Sequence, residues 1–103
     1  MKILAFIAED CLEMGQQPWL IGRACISLKK GDILFAASQE GSGEYLQFEL
    51  TGVELYRKMF DEVPAGYSCA LRLQPGLPVE MVKFSKCKFY IESFKSILTR
   101  EPR

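Results

Sequence analysis

Short runs in which apolar and polar residues alternate constrain the fold of this sequence more than any other feature. Residues 45–50 and 67–74 alternate with the two-residue period of a strand that has one buried face. Residues 24–28 alternate as well, and residues 33–37 and 82–90 are short runs of β-forming residues. Breaks that contain Gly or Pro separate these runs at intervals of roughly 10–20 residues. The pattern predicts an all-β fold with about six short strands in a small barrel or sandwich.

Two stretches are compatible with either a strand or a helix. Leu55 and Met59 have helical spacing, so residues 53–62 fit a short helix as well as a strand. Near the end of the chain, Phe94 and Leu98 fit a short C-terminal amphipathic helix, and the same stretch fits a continuation of the preceding strand. Periodicity does not decide between helix and strand for apolar runs of this length, and both alternatives stay open in both stretches.

The composition excludes several classes of function. The sequence has no histidine, which is the commonest general base and the commonest metal ligand in proteins. The four cysteines contain no C-x-x-C pair, so no zinc site is expected. Basic and acidic residues are equal in number, 13 of each, which argues against a broad phosphate-binding surface. We therefore predict a protein without catalytic activity, metal or cofactor.

The hydropathy pattern predicts the compartment. The apolar N-terminal run at residues 1–8 is interrupted by Glu9 and Asp10, which makes it short for a signal peptide. The sequence also has no apolar stretch of the length that crosses a bilayer, about 18 residues or more. Cysteines in a cytoplasmic protein are normally reduced. We therefore predict a cytoplasmic protein with four free thiols and no membrane segment.

One long run of residues is more specific than the strand pattern. Residues 51–66 read T-G-V-E-L-Y-R-K-M-F-D-E-V-P-A-G. This run resembles T-G-V-E-M-F-R-K-x-L-D-E-x-x-A-G of the second domain of elongation factor Tu. Residues 8–15 are similar to the opening V-E-D-V-F-x-I-x-G of that domain, and residues 28–32 are similar to its I-K-V-G-D. Gly15 and Gly22 keep the spacing of the outer glycines in its G-R-G-T-V-V-T-G.

The resemblance covers residues 3 to about 87 and implies a fold. It implies the six-stranded translation-protein β-barrel over residues 1–89, with a C-terminal extension at residues 90–103 that it does not explain. Within this barrel, residues 53–60 are expected to be strand. The sequence has no G-x-x-x-x-G-K-[ST] loop, so it lacks the phosphate cradle of a GTPase. The resemblance therefore implies a stand-alone barrel that binds no nucleotide in the manner of the factor.

The resemblance also implies a position for a binding site. In elongation factor Tu this barrel helps to hold the aminoacylated end of transfer RNA, with the terminal adenosine near the glutamate that Glu54 matches. Ser68 stands where the family has asparagine, Arg72 stands where an apolar residue lines the adenosine site, and Gln16 replaces an arginine. Glu54 is equally compatible with an exposed strand position beside a basic neighbour. These changes predict that the chain keeps the barrel fold and binds a different molecule from the one that the factor binds.

Two further features are candidates for binding. Trp19 lies in a turn-rich stretch and is either an exposed partner anchor or a residue that caps the core. Several basic residues either group into a phosphate-binding surface or belong to a solvated face balanced by acids; they are Arg57, Lys58, Arg72, Lys83, Lys86, Lys88 and Lys95. The candidate binding residues are Gln16, Trp19, Glu54, Arg57, Ser68 and Arg72.

The leading functional hypothesis is a non-catalytic binding module with a protein partner that it holds through its loops. Two alternatives remain. The first is a degenerate RNA-binding barrel that retains part of the transfer RNA acceptor-end site. The second is an immunity or interaction protein that imitates the barrel of the translation factor and occupies something that targets the factor.

Overall fold

The computed structural model describes residues 2–37, 43–76 and 81–92, and this part of the chain is almost entirely β. Nine strands and one short 3₁₀ helix at Met81–Phe84 follow each other in these described residues. The strands are β1 (Lys2–Met14), β2 (Gln17–Ala24), β3 (Leu28–Lys29), β4 (Ile33–Ala37), β5 (Tyr45–Leu55), β6 (Lys58–Phe60), β7 (Glu62–Val63), β8 (Ser68–Leu73) and β9 (Lys88–Glu92).

Six of the strands close into a ring. The order around the ring is β4, β9, β1, β2, β8, β5, and β5 pairs again with β4. Every pairing is antiparallel. Strand β6 is added to the outer edge of β5 as a hairpin, and β3 and β7 form a separate two-stranded pair. The prediction of an all-β fold with a small six-stranded barrel is confirmed.

The core fills the inside of the ring with side chains from all six of its strands. Three aromatic rings lie together in this core: Phe48 packs edge-to-face against Phe84 and Phe89, with ring centroids 5.3 and 5.5 Å apart. Phe84 comes from the 3₁₀ helix, so this helix closes the barrel with an apolar side chain. Along β5, Phe48 and Leu50 are buried while Gln47 and Glu49 are exposed or partly exposed, as the alternation of residues 45–50 predicts.

Two β-bulges correct the alternation where the sequence breaks it. In β5, Leu50 and Val53 are both buried although they are three positions apart, a spacing that puts side chains on opposite faces of a regular strand, and the register shifts between Leu50 and Gly52. In β1, Ala8 and Cys11 are both buried, and the register shifts between Ala8 and Asp10. One extra residue in each strand returns the next apolar side chain to the interior.

Residues 53–62 form a hairpin. Leu55 ends β5, Tyr56 and Arg57 form the turn, and Lys58 begins β6. The helical alternative is wrong. The strand that the resemblance implies over residues 53–60 is confirmed for 53–55 and 58–60 and is wrong at the turn residues Tyr56 and Arg57. Leu55 and Met59 are four residues apart, as on a helix face, but they lie on the two strands of the hairpin.

Two other strand predictions are wrong in part. The predicted strand at 24–28 is interrupted, because β2 ends at Ala24 and β3 begins only at Leu28. The predicted strand at 82–90 begins as the 3₁₀ helix and a turn, and only β9 is strand. Lys86 has a φ of 62° in this turn, a conformation that interrupts a strand. Strand β9 runs past residue 89 to Glu92, and the C-terminal helix predicted beyond it lies outside the described residues, as does Lys95.

Within the described part of the chain, no helix has the length and hydropathy of a membrane span.

Candidate functional site

The hairpin of β5 and β6 ends in a turn of unusual composition. Tyr56 and Arg57 both have positive φ, 53° and 66°, and they connect the paired residues Leu55 and Lys58. A two-residue connection with this geometry is a type I′ turn, which normally carries Asn-Gly because most side chains are strained at positive φ. A bulky tyrosine in this conformation costs about 1 kcal/mol or more. Strain of this kind is retained where the side chain is needed for another purpose.

A groove lies between this turn and the strands β2 and β8. Its cavity has a volume of about 600 Å³. We call it the hairpin groove, and its lining is Glu9, Ile21, Gly22, Arg23, Glu54, Leu55, Tyr56, Arg57, Ser68, Cys69 and Ala70. Two carboxylates and two guanidinium groups therefore lie beside apolar side chains in the lining of the groove.

The register of the sheet explains why these residues meet. Glu54 lies opposite Ala70, and Ala70 lies opposite Ile21, so three strands present one row across the floor. In the neighbouring row, Ser68 lies opposite Arg23. Three of the predicted binding residues therefore line one cavity: Glu54, Arg57 and Ser68.

Arg72 has a structural contact instead of a place in the groove. Its Nε donates to Thr51 Oγ1 at 3.1 Å, and its Nη2 donates to the Thr51 carbonyl oxygen at 3.1 Å. Thr51 Oγ1 donates in turn to the Arg72 carbonyl oxygen at 3.0 Å. This side chain therefore holds the bulge of β5, with its donors directed to the barrel itself.

Gly52 makes room for that contact. A Cβ at this position would lie 3.0 Å from Arg72 Nη2 and 2.8 Å from the Met59 methyl carbon. The glycine of the T-G-V-E run therefore lets two side chains lie across the backbone of β5. The same contact explains why Arg72 can replace the apolar residue that the resemblance leads one to expect.

The other two candidates lie outside the hairpin groove. Trp19 is half-buried in the middle of β2, between Leu12 on β1 and Arg72 on β8. It is therefore neither a loop residue nor a core residue. Gln16 is exposed in the turn between β1 and β2 and lines none of the groove.

Sequence reasoning missed the exposed aromatic residue of the site, Tyr56. Its side chain is 80% exposed, and the side chains of Ile21 and Met59 nearby are also exposed. The expected signal for this turn is Asn-Gly between two alternating runs, and Tyr-Arg does not give it. The hairpin becomes visible only when Leu55 and Lys58 are paired in three dimensions.

Two of the four thiols, Cys11 and Cys69, are buried. None of the four cysteines forms a disulfide. Burial raises the pKa of Cys69, which lines the hairpin groove, to about 11. Burial, with contributions from Cys87 and Asp10, raises the pKa of Cys11 to about 12. Both thiols are therefore protonated at neutral pH and weakly nucleophilic. No group of three potential metal ligands occurs among residues 2–37, 43–76 and 81–92.

The structure is a small antiparallel β-barrel with a groove on its surface beside the turn between β5 and β6. No protein-family model and no curated protein matches the chain.

Proposed function

We propose that this chain is a non-catalytic binding module that holds a segment of a protein partner in the hairpin groove. The observation that carries the proposal is Tyr56, an aromatic residue that is 80% exposed, stands at positive φ and borders a cavity of about 600 Å³. An exposed tyrosine in a strained turn is unfavourable for the isolated barrel, and contact with a partner compensates by burying the ring.

The turn geometry favours tight contact. Tyrosine supplies a large contact area with only two side-chain torsions to fix, and the closed hairpin holds its backbone in place before binding. Ile21 and Met59 add exposed apolar surface beside it. A central aromatic side chain with apolar neighbours and a polar border is the usual composition of a protein-binding hot spot.

The charges of the groove favour a protein over a nucleic acid. Glu9 and Glu54 offset Arg23 and Arg57, so the lining has no net positive charge. Phosphate backbones are bound mainly by uncompensated lysine and arginine. A protein segment of mixed charge fits this lining better, because charge complementarity across an interface selects the partner.

The relationship to the second domain of elongation factor Tu is part of the proposal. The closed six-stranded ring supports it, as does the hairpin that the run at residues 51–66 forms. The hydrogen bonds of Arg72 to Thr51 support the proposal that this barrel binds a different molecule from the one that the factor binds.

Transfer RNA is a second candidate ligand of the same groove. Glu54 and Ser68, which match acceptor-end positions of the family, both line it. Titration with labelled transfer RNA at two salt concentrations distinguishes the candidates, because phosphate contacts give a steep salt dependence. Binding that is absent or independent of salt excludes this candidate.

A photo-crosslinking amino acid at position 56 tests the leading proposal. We expect a protein adduct from position 56 and none from the same amino acid at position 29, an exposed site on β3. The adduct protein is then purified and titrated against Tyr56→Ala by calorimetry. We expect binding to weaken by about 30-fold, as for loss of a hot-spot residue worth about 2 kcal/mol.

Tyr67→Ala is the matched control for this variant. Tyr67 is also exposed, at 42%, but does not line the hairpin groove. Equal adducts from positions 56 and 29, or equal affinity of the Tyr56→Ala and Tyr67→Ala proteins for the partner, would contradict the proposal.

A further inference from the structure

A second cavity lies on a different part of the barrel, where β9 and the turn before it meet the start of β5. It has a volume of about 310 Å³ and is lined by Ala37, Tyr45, Lys86, Cys87, Lys88 and Tyr90. We call it the lysine cleft. It shares no lining residue with the hairpin groove. The hairpin groove and the lysine cleft are therefore separate cavities.

The lysine cleft has two positive charges among its described lining residues. Lys86 and Lys88 are exposed, and the described lining of the cleft contains no carboxylate. Neither ammonium group forms an ion pair with a residue in the described part of the chain. Lys86 also has a φ of 62°, which is unusual for a long side chain. The cleft is therefore a small cationic site.

The two tyrosines place aromatic rings beside these charges. Tyr45 and Tyr90 pack edge-to-face, with ring centroids 6.3 Å apart, and Tyr45 remains 46% exposed. Lys2 Nζ lies 4.7 Å from the Tyr45 ring centroid and 2.6 Å from a carboxylate oxygen of Glu92. The Tyr45 ring is thus held by two neighbours. The ion pair with Lys2 also offsets the charge of Glu92, which lies two residues after Tyr90 on β9.

Cationic groups beside an exposed aromatic ring are complementary to a phosphate joined to a planar base. Lysine binds phosphate as a point charge, and every base can stack on a tyrosine ring. A cavity of about 310 Å³ is at the lower end of the range for small-ligand sites, about 300–1,000 Å³. We propose that the lysine cleft binds a nucleotide, with its phosphate at Lys86 and Lys88 and its base against Tyr45.

This site is consistent with the zero net charge of the chain. A broad phosphate-binding face requires an excess of basic residues, but a cleft for one nucleotide needs only a local pair. A nucleotide within single-stranded RNA and a free mononucleotide present the same chemistry to the cleft, and the experiment distinguishes them.

Fluorescence anisotropy with a labelled uridine oligonucleotide of about ten residues tests the proposal, and labelled uridine monophosphate forms a parallel arm. For two phosphate contacts in a single strand, we expect affinity to fall about sevenfold between about 50 mM and about 200 mM salt. Binding of the oligonucleotide alone identifies a strand of RNA as the source, and binding of both probes identifies a single nucleotide as sufficient.

Two sets of variants connect binding to the cleft. The double variant Lys86→Gln, Lys88→Gln should lose about tenfold or more in affinity at the lower salt concentration and most of its salt dependence. Lys29→Gln, Lys30→Gln removes the same charge elsewhere and should bind as the wild type does. Tyr45→Leu should weaken binding by about tenfold through lost stacking, and Tyr67→Leu is its control. Thermal melting confirms that each variant is folded.

Three results would overturn the proposal. The first is that neither probe binds the wild-type protein at the lower salt concentration. The second is that the cleft variants bind as well as their controls do. The third is that an acidic peptide binds in a Lys86- and Lys88-dependent way while both nucleotide probes do not, which would assign the cleft to a protein. All three leave the proposal for the hairpin groove intact, because that proposal depends on Tyr56.

Discussion

The hairpin groove and the lysine cleft use the same barrel in different ways. The groove combines charges of both signs with an exposed tyrosine on a strained turn. The lining of the cleft combines two lysines with two tyrosines. An equal count of acidic and basic residues in the sequence conceals this difference, because the charges are balanced in one cavity and of one sign in the other. Net charge therefore describes the whole chain and predicts neither site.

Both sites depend on the closed ring of strands, and we expect the substitution of Gly22 to disrupt this ring most strongly. A Cβ at Gly22 would lie 2.0 Å from the Ile7 carbonyl oxygen and 3.0 Å from the Ala8 Cα. These are backbone atoms of β1 beside its bulge, and they cannot move without breaking the pairing of β1 and β2. We expect Gly22→Ala to lower the free energy of unfolding by about 4 kcal/mol or more. Urea denaturation measures this loss.

Gly52→Ala is the matched control for Gly22→Ala. Its nearest atoms are the ends of the flexible side chains of Met59 and Arg72, which can shift. We expect a loss of only about 1–2 kcal/mol. Equal losses at the two positions would show that the close approach of β1 to β2 does not limit the stability of the barrel.

The strained turn separates stability from binding in the hairpin groove. Replacement of Tyr56-Arg57 by Asn-Gly supplies the residues that a type I′ turn favours, so we expect the free energy of unfolding to rise by about 1–2 kcal/mol. The same change removes the aromatic side chain, so affinity for the crosslinked partner should fall at least tenfold. Urea denaturation and calorimetry measure the two effects.

Arg57→Gly alone distinguishes the two effects of that replacement. It relieves strain at one turn position and leaves Tyr56 in place, so it should raise stability. It should weaken binding by less than the double replacement does, because it removes the guanidinium group from the groove and keeps the aromatic ring. A double replacement that fails to stabilise the barrel would contradict the assignment of strain to this turn. Neither change should alter nucleotide binding in the lysine cleft, because the two cavities share no lining residue.

Much of the barrel could be predicted from the alternation of its strands, and the sites could be predicted only in part. The burial of Phe48 and Leu50 follows directly from the period of residues 45–50. The bulge that brings Val53 inside does not follow from it, because a bulge depends on the register of the neighbouring strand. Local pattern therefore predicts the strands better than it predicts where they are offset.

The candidate site residues illustrate the same limit. Glu54 and Ser68 are predicted from their positions in the resembled family, and the sheet brings them together in one groove. Arg72 is a candidate binding residue because the resemblance places it at an adenosine-site position. Its hydrogen bonds to Thr51 could not be predicted from the sequence, since they depend on the pairing of β5 and β8. Tyr45 had no sequence signal, since its place beside Lys86 and Lys88 depends on closure of β4 against β5 and β9.

Thiol chemistry provides a further way to compare the two cavities. Cys69 in the hairpin groove is buried, and burial raises its pKa to about 11, so little thiolate is present at neutral pH. Cys87 in the lysine cleft is half-buried and more accessible. We expect iodoacetamide at about pH 8 to modify Cys87 at least about tenfold faster than Cys69. Peptide mapping by mass spectrometry measures both rates on the same sample.

The pH dependence of stability gives the control for this comparison. The unfolded pKa values of Cys11 and Cys69 are near 9.0, and their folded values are about 12 and about 11. Between these values the folded state holds more protons than the unfolded state, so stability should fall as pH rises from about 9 to about 12. Cys11→Ser or Cys69→Ser should reduce this fall. If Cys69 is alkylated as fast as Cys87, the groove opens more readily than its burial implies.

The smallest expected effect concerns the carboxylate beside the lysine cleft. The hydrogen bond from Lys2 lowers the pKa of Glu92 below its ordinary value of 4.5. The ionised pair therefore stabilises the fold above about pH 4.5, and this contribution is lost as pH falls through the folded pKa. Glu92 is exposed to solvent, so the loss should be small and should shrink further at high salt. Thermal melting between about pH 5 and about pH 3 should show a slightly steeper decline for the wild type than for Glu92→Gln.

Because the same ion pair places Lys2 over Tyr45, Glu92→Gln should also weaken nucleotide binding, and by less than Tyr45→Leu does. A Glu92→Gln protein that binds nucleotide more weakly than Lys86→Gln, Lys88→Gln would instead make the Lys2–Glu92 pair the main determinant of the cleft.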